Sequence, residues 1–149
     1  MSSDEECSPL NEACENRGMK YVPVSVAAVG TLLATDGGAD DERAHRLVAE
    51  MIRGWDELPN SARVHLVVDE PAATGSQRWD ALLGALAEHL CFHADLECPD
   101  WVDAPHRFLV ANWFDDAGLP ALRAIAWVGS PAAFRRRGIF IDPLDLVRV

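Results

Sequence analysis

Ser76-Gln77-Arg78-Trp79-Asp80-Ala81-Leu82-Leu83-Gly84-Ala85-Leu86-Ala87-Glu88-His89-Leu90-Cys91-Phe92-His93 is the stretch whose reading decides the fold. Ser76 is a good helix N-cap, because its hydroxyl can accept an otherwise unpaired backbone N–H of the first turn. Trp79, Leu82, Leu83, Leu86 and Leu90 then recur at steps of three and four, with Ala85 and Ala87 on the flanks. That spacing predicts one long helix to about His93 with a broad apolar face.

Upstream, the pattern is also helical. Asp40-Asp41-Glu42 places acids where a helix N-terminus stabilises them. Ala44, Leu47, Val48, Met51, Ile52, Trp55 and Leu58 follow at helical spacing until Pro59 stops the run. A shorter helix is expected from Asn60 or Ser61 to Val68, and another from Val24 to Thr35, capped by Ser25 and stopped by Gly37-Gly38. Pro71 to Ser76 reads as a turn-rich linker.

Downstream the signals shorten. Trp101-Val102 and Phe108-Leu109 are each expected to bury in a short helix, and Trp113-Phe114 precede an acidic loop at Asp115-Asp116. Leu119 to Val128 predicts a helix buried through Leu122, Ile125 and Ala126. Ser130-Pro131 opens a turn or two over Ala132–Arg137, ended by Gly138, and Asp142-Pro143 opens a last turn, Leu144 to Val147. Ile139-Phe140-Ile141 has strand character but no evident partner. The fold class is all-α: a compact bundle of short helices, with residues 1–20 a flexible acidic leader and 21–149 a single helical domain.

The chain has 149 residues and a net charge of −11. The charge is uneven: residues 1–100 carry 19 acids against 7 bases, net −12, and residues 101–149 carry 5 against 6, net +1. Such a balance opposes adhesion to nucleic acid or an anionic membrane, since both need a basic surface. It suits a protein partner with a basic face. The longest apolar run, Val22 to Ala34, is too short for a bilayer. An acidic N-terminus is unlike a secretory signal, and Cys7, Cys14, Cys91 and Cys98 form no CxxC pair, so a cytoplasmic protein with reduced thiols is expected.

Chemistry is sparse. No phosphate-binding glycine loop, nucleophile elbow or dinucleotide fingerprint occurs, so no catalytic residue, metal or cofactor is expected. Five tryptophans have apolar neighbours at helical phase and read mainly as core anchors. His89 and His93, four apart on one helix face, could bind a metal together with Cys91 and Cys98, although the order Glu88-His89 is not that of a zinc-peptidase helix. The other cluster is Arg135-Arg136-Arg137. On one helical turn three guanidinium groups fan around the axis and cannot all grip one ligand. They either pair with the chain's own acids or contact a carboxylate- or phosphate-bearing partner. Arg135, Arg136 and Arg137, with Asp40, Asp41 and Glu42, are the candidate partner-binding residues. DNA binding through the three arginines is an alternative.

Trp79-Asp80-Ala81-Leu82-Leu83-Gly84-Ala85-Leu86-Ala87-Glu88-His89-Leu90, Pro99-Asp100-Trp101-Val102, Arg107-Phe108-Leu109, Trp113-Phe114 and Pro131-Ala132-Ala133-Phe134-Arg135-Arg136-Arg137-Gly138-Ile139-Phe140-Ile141 carry a resemblance. Residues 50–149 resemble a segment of uncharacterised actinobacterial proteins. There it often follows an Xre-type helix-turn-helix domain, and some members resemble antitoxin-like partners of nucleotidyltransferase-type toxins. The resemblance implies an antitoxin-like interaction module that neutralises a cognate toxin by direct binding. The first fifty residues depart from that pattern, being too short and too acidic for the DNA-binding domain.

Overall fold

The computed structural model describes residues 22–115 and 119–146. The expected leader, with Cys7 and Cys14, lies outside them, as do Asp116 and the last three residues. The elements are α1 (Val26–Ala34), α2 (Asp41–Asp56), α3 (Asn60–Val67), α4 (Gln77–His93), 3-10 turns at Asp100–Asp103 and Pro105–Arg107, β1 (Trp113–Asp115), α5 (Pro120–Gly129), α6 (Ala132–Arg135), β2 (Ile139–Ile141) and a 3-10 turn at Pro143–Leu146. The class is mostly α, with one small sheet.

Capping sets the helix starts. The side chains of Ser25, Asp40 and Ser76 accept from Ala28 N, Arg43 N and Trp79 N. At the end of α1, Gly37 and Gly38 both take positive φ, and Gly38 N donates to Leu33 O at 2.9 Å. Only glycine adopts two such residues in a row without strain, so the chain reverses there into α2.

α4 is the centre of the molecule. It is enclosed on every side from Trp79 through Ala87, a wider burial than a single apolar face predicts. It packs against α1, α6 and the two 3-10 turns that follow it. Burial on all sides brings Asp80 inside, and its carboxylate accepts from Thr74 N and Thr74 Oγ1, both at 2.9 Å. Those bonds offset the desolvation of a buried charge. Arg107, fully buried, crosses α4 at Gly84, where an added Cβ would lie 3.1 Å from the arginine's own Cβ. Its guanidinium donates to Asp80 O, Pro71 O and Glu70 Oε1. This arginine ties the 70–76 linker to the central helix.

The C-terminal third departs from the expected bundle. β2 has a partner after all: it pairs in parallel with β1, Trp113 opposite Ile139, Phe114 opposite Phe140 and Asp115 opposite Ile141. Parallel strands need a crossover, and α5 and α6 supply it. Phe108 takes an extended backbone instead of the expected helix, and Leu109 N donates to Arg137 O at 3.0 Å. Gly138, at φ +78°, turns the chain from α6 into β2. Ser130 fastens this unit: its hydroxyl donates to Ile139 O at 3.1 Å and accepts from Ile141 N at 3.2 Å.

Candidate interaction surface

α5 reads Pro120-Ala121-Leu122-Arg123-Ala124-Ile125-Ala126-Trp127-Val128-Gly129, with one charged side chain in ten. A helix apolar on all sides belongs in an interior. Here it lies outside: of its ten residues only Ala126 is buried. Ile125 is 49 % exposed, Trp127 56 %, Val128 77 %, and Leu119, just ahead of the helix, 55 %. The expected burial through Ile125 and the core role of Trp127 are therefore corrected. The other tryptophans follow expectation, Trp55 and Trp79 buried and Trp101 and Trp113 half-buried.

Trp127 is nonetheless positioned. Its ring stacks on Phe140 at 4.9 Å and on Phe114 at 5.9 Å, and Phe114 stacks on Phe140, its register partner across the strands, at 4.8 Å. The three planes lie within 17° of one another. The Arg123 guanidinium sits 4.8 Å from the Phe114 ring centroid. Together Phe114, Pro120, Arg123, Ala124, Trp127 and Val128 line an open groove of ≈ 450 Å³. Rigid aromatics beside an arginine, with other charges depleted, make the composition of an interface centre.

The arginine cluster has a different place. Arg137 is fully buried, where a partner cannot reach it. Its Nη1 donates to Glu88 and to Ala133 O (2.8 Å), and its Nη2 to Val102 O (2.7 Å). Arg136 donates to the same Glu88 carboxylate at 2.9 Å and to Asp103 at 2.6 Å. Two guanidiniums thus converge on one carboxylate, where a fan around the axis was expected. The turn after α6 lets Arg137 fold back beneath Arg136, and both lie on the Phe108 ring at 4.9 and 5.1 Å. Burial holds the Arg137 pKa below its usual value despite Glu88, whereas the Glu88 hydrogen bond raises that of Arg136. Arg135 remains at the surface, its Nη2 donating to Val128 O and Ser130 O at the C-terminal end of α5.

The acidic candidates are local. Asp40 caps α2, Asp41 accepts from Trp79 Nε1 at 3.2 Å, and Glu42 is exposed in the first turn.

The four metal candidates do not converge. The His89 and His93 rings lie 4.4 Å apart, while Cys91 is buried beside Cys98, with which it shares a hydrogen bond. Among the described residues no three His, Cys, Asp or Glu side chains form a metal-holding group. Desolvation pushes the His89 pKa down to about 4, helped by His93, and pushes the Cys91 thiol up to about 12. His89 faces a cleft of ≈ 470 Å³ with Trp55, Leu90, Pro131 and Pro143.

Sequence reasoning missed His45. Its Nε2 is 2.9 Å from both Asp115 carboxylate oxygens, and its Nδ1 donates to Asp41 O at 2.6 Å. The hydrogen bond to Asp115 is the main force raising its pKa to about 9, so it binds β1 to α2 as an imidazolium. Both ring nitrogens are engaged, which suits a fastener and not a general base. Sequence reasoning also passed over Arg123 and gave Leu119 and Phe114 no surface role, since an apolar run with one charge reads as core and nothing within it announces exposure.

Among the described residues, no helix is long and apolar enough to cross a membrane. Comparison of the chain with protein-family models, curated proteins and solved structures finds no match.

Proposed function

We propose that this chain is a protein-interaction module that binds its partner through the α5 surface. The observation that carries the reading is the ten-residue helix of which only Ala126 is buried. Exposing Ile125, Trp127 and Val128 to water is costly by about 1.5–3 kcal/mol for each side chain that a partner could fully bury. Fixing Trp127 by stacking lowers the entropy lost on binding. The antitoxin-like form of this role, neutralising a cognate toxin by direct contact, rests on the resemblance of residues 50–149.

Co-expression with the product of the neighbouring gene tests the proposal. A stable complex in size-exclusion chromatography is expected, with relief of growth inhibition if that product is toxic. Absence of any complex, with toxicity unrelieved, overturns it.

A further inference from the structure

We propose that Cys91 and Cys98 form a redox latch: in contact as free thiols, they close to a disulfide when the chain meets a low-molecular-weight disulfide such as glutathione disulfide. The inference is independent of the interaction reading above. Cys91 lies in the last turn of α4 and is fully buried, Cys98 is half-buried, and both are free thiols. The chain brings them together by reversing at the helix end. Asp95 takes φ +55°, and Leu96 N donates back to Cys91 O at 2.9 Å. Cys98 follows, and Pro99 leads into the 3-10 turn that packs on α4. The Cys91 thiol donates its hydrogen bond to the Cys98 sulfur, so one side chain is already aimed at the other.

A bridge needs the two sulfurs at about 2.05 Å. Cys91 is held in the core, so the approach falls to residues 94–99, which form no helix or strand and of which none is buried. The order of events follows from exposure. Only Cys98 is reachable by an oxidant. Burial, Glu88 and Asp103 raise its pKa, while Arg137 favours its thiolate. The Cys98 thiolate attacks one sulfur of glutathione disulfide, forming a mixed disulfide and releasing a glutathione thiolate. Cys91 then attacks Cys98 Sγ from the buried side, and the second glutathione leaves toward solvent. Each departing thiolate takes up the proton that a cysteine loses, so two thiols are oxidised and one glutathione disulfide is reduced to two glutathiones. Desolvation holds the Cys91 thiol protonated up to about 12, which makes closure slow. The latch therefore answers a sustained excess of disulfide and not a brief pulse. Closure fastens the end of α4 to the turn whose Val102 O accepts from Arg137.

The test incubates the full chain with excess glutathione disulfide, alkylates the remaining thiols and digests with trypsin. No Lys or Arg stands between Arg78 and Arg107, so both cysteines fall in the single peptide 79–107. The expected result is that peptide two hydrogens lighter and free of alkyl groups, with two alkyl groups restored after reduction by dithiothreitol. The bridged chain is expected to melt several degrees higher, since the bond constrains the unfolded state. Cys91→Ala is expected to accumulate glutathione on Cys98. Cys98→Ser, at a half-buried position that the fold tolerates, is expected to take up no glutathione at Cys91. Two alkyl groups on the peptide after oxidation, glutathione retained on Cys98 of the parent, or a link from either cysteine to Cys7 or Cys14 overturns the inference. So does a melting temperature that the bridge fails to raise, because the folded geometry then does not accept the bond.

Discussion

Three consecutive arginines take three different environments, and the difference follows from where α6 stops. Arg135 still belongs to the helix and lies on the surface, Arg136 caps it, and Arg137 turns inward to Glu88, Ala133 and Val102. Their substitutions should separate accordingly. Arg137→Leu is expected to cost about 3 kcal/mol, because it leaves two buried carbonyls without a donor and weakens the hold on Glu88. Arg136→Leu, on a half-exposed side chain, is expected to cost no more than about 1 kcal/mol. Urea denaturation of the two variants decides this, and equal costs would contradict the burial ranking. The sequence displays three charges in a row but not which one folds back. That choice depends on Gly138 and on an acid 49 positions away, Glu88.

At the scale of elements, the helices upstream of His93 were legible because local signals agreed. Ser25 and Ser76 cap where expected, Asp40 of the expected acidic start supplies the cap of α2, and the observed bounds of α1 to α4 lie within two residues of the expected ones. The downstream elements were less so. β1 and β2 are three residues each, and their pairing is parallel across two intervening helices, so no turn signal announces it. α5 was read as core because its composition is that of core; exposure is a property of its neighbours and not of its own residues. The close passage of Arg107 over α4 gives an element-scale prediction. Gly84→Val places a branched side chain against the arginine's buried stem, 3.1 Å from the first added carbon. It is expected to lower the melting temperature by several degrees, an overpacking cost of about 1–3 kcal/mol. An unchanged melting temperature would show that Arg107 can move aside.

At the scale of the whole molecule, two histidines shape the pH dependence in opposite directions. The folded chain holds the His45 proton to about pH 9, above its ordinary 6.5, so the Asp115 link contributes in full below pH 6.5 and is lost as pH rises through 9. His89 is held neutral down to about 4. Its contribution is present above pH 6.5 and is lost as pH falls toward 4, because the unfolded chain takes up the proton first. Melting temperature against pH is expected to fall on both sides of about 6.5. His45→Gln should flatten the alkaline limb and His89→Leu the acid limb, each leaving the other intact. If His45→Gln leaves the alkaline limb unaltered, the β1–α2 fastening is not what holds that side.

The His45–Asp115 link holds β1, against which α5 packs and presents its apolar side chains to a partner. The paired substitution Ile125→Ser and Trp127→Ser tests that partner surface most directly, measured as affinity for the co-expressed partner together with the melting temperature. Loss of at least a hundredfold in affinity is expected in a chain that keeps its far-ultraviolet circular dichroism and cooperative melting, the melting temperature falling by several degrees because Trp127 gives up its stack on Phe140. An affinity unchanged within twofold, in a protein that folds normally, would contradict a partner surface on α5.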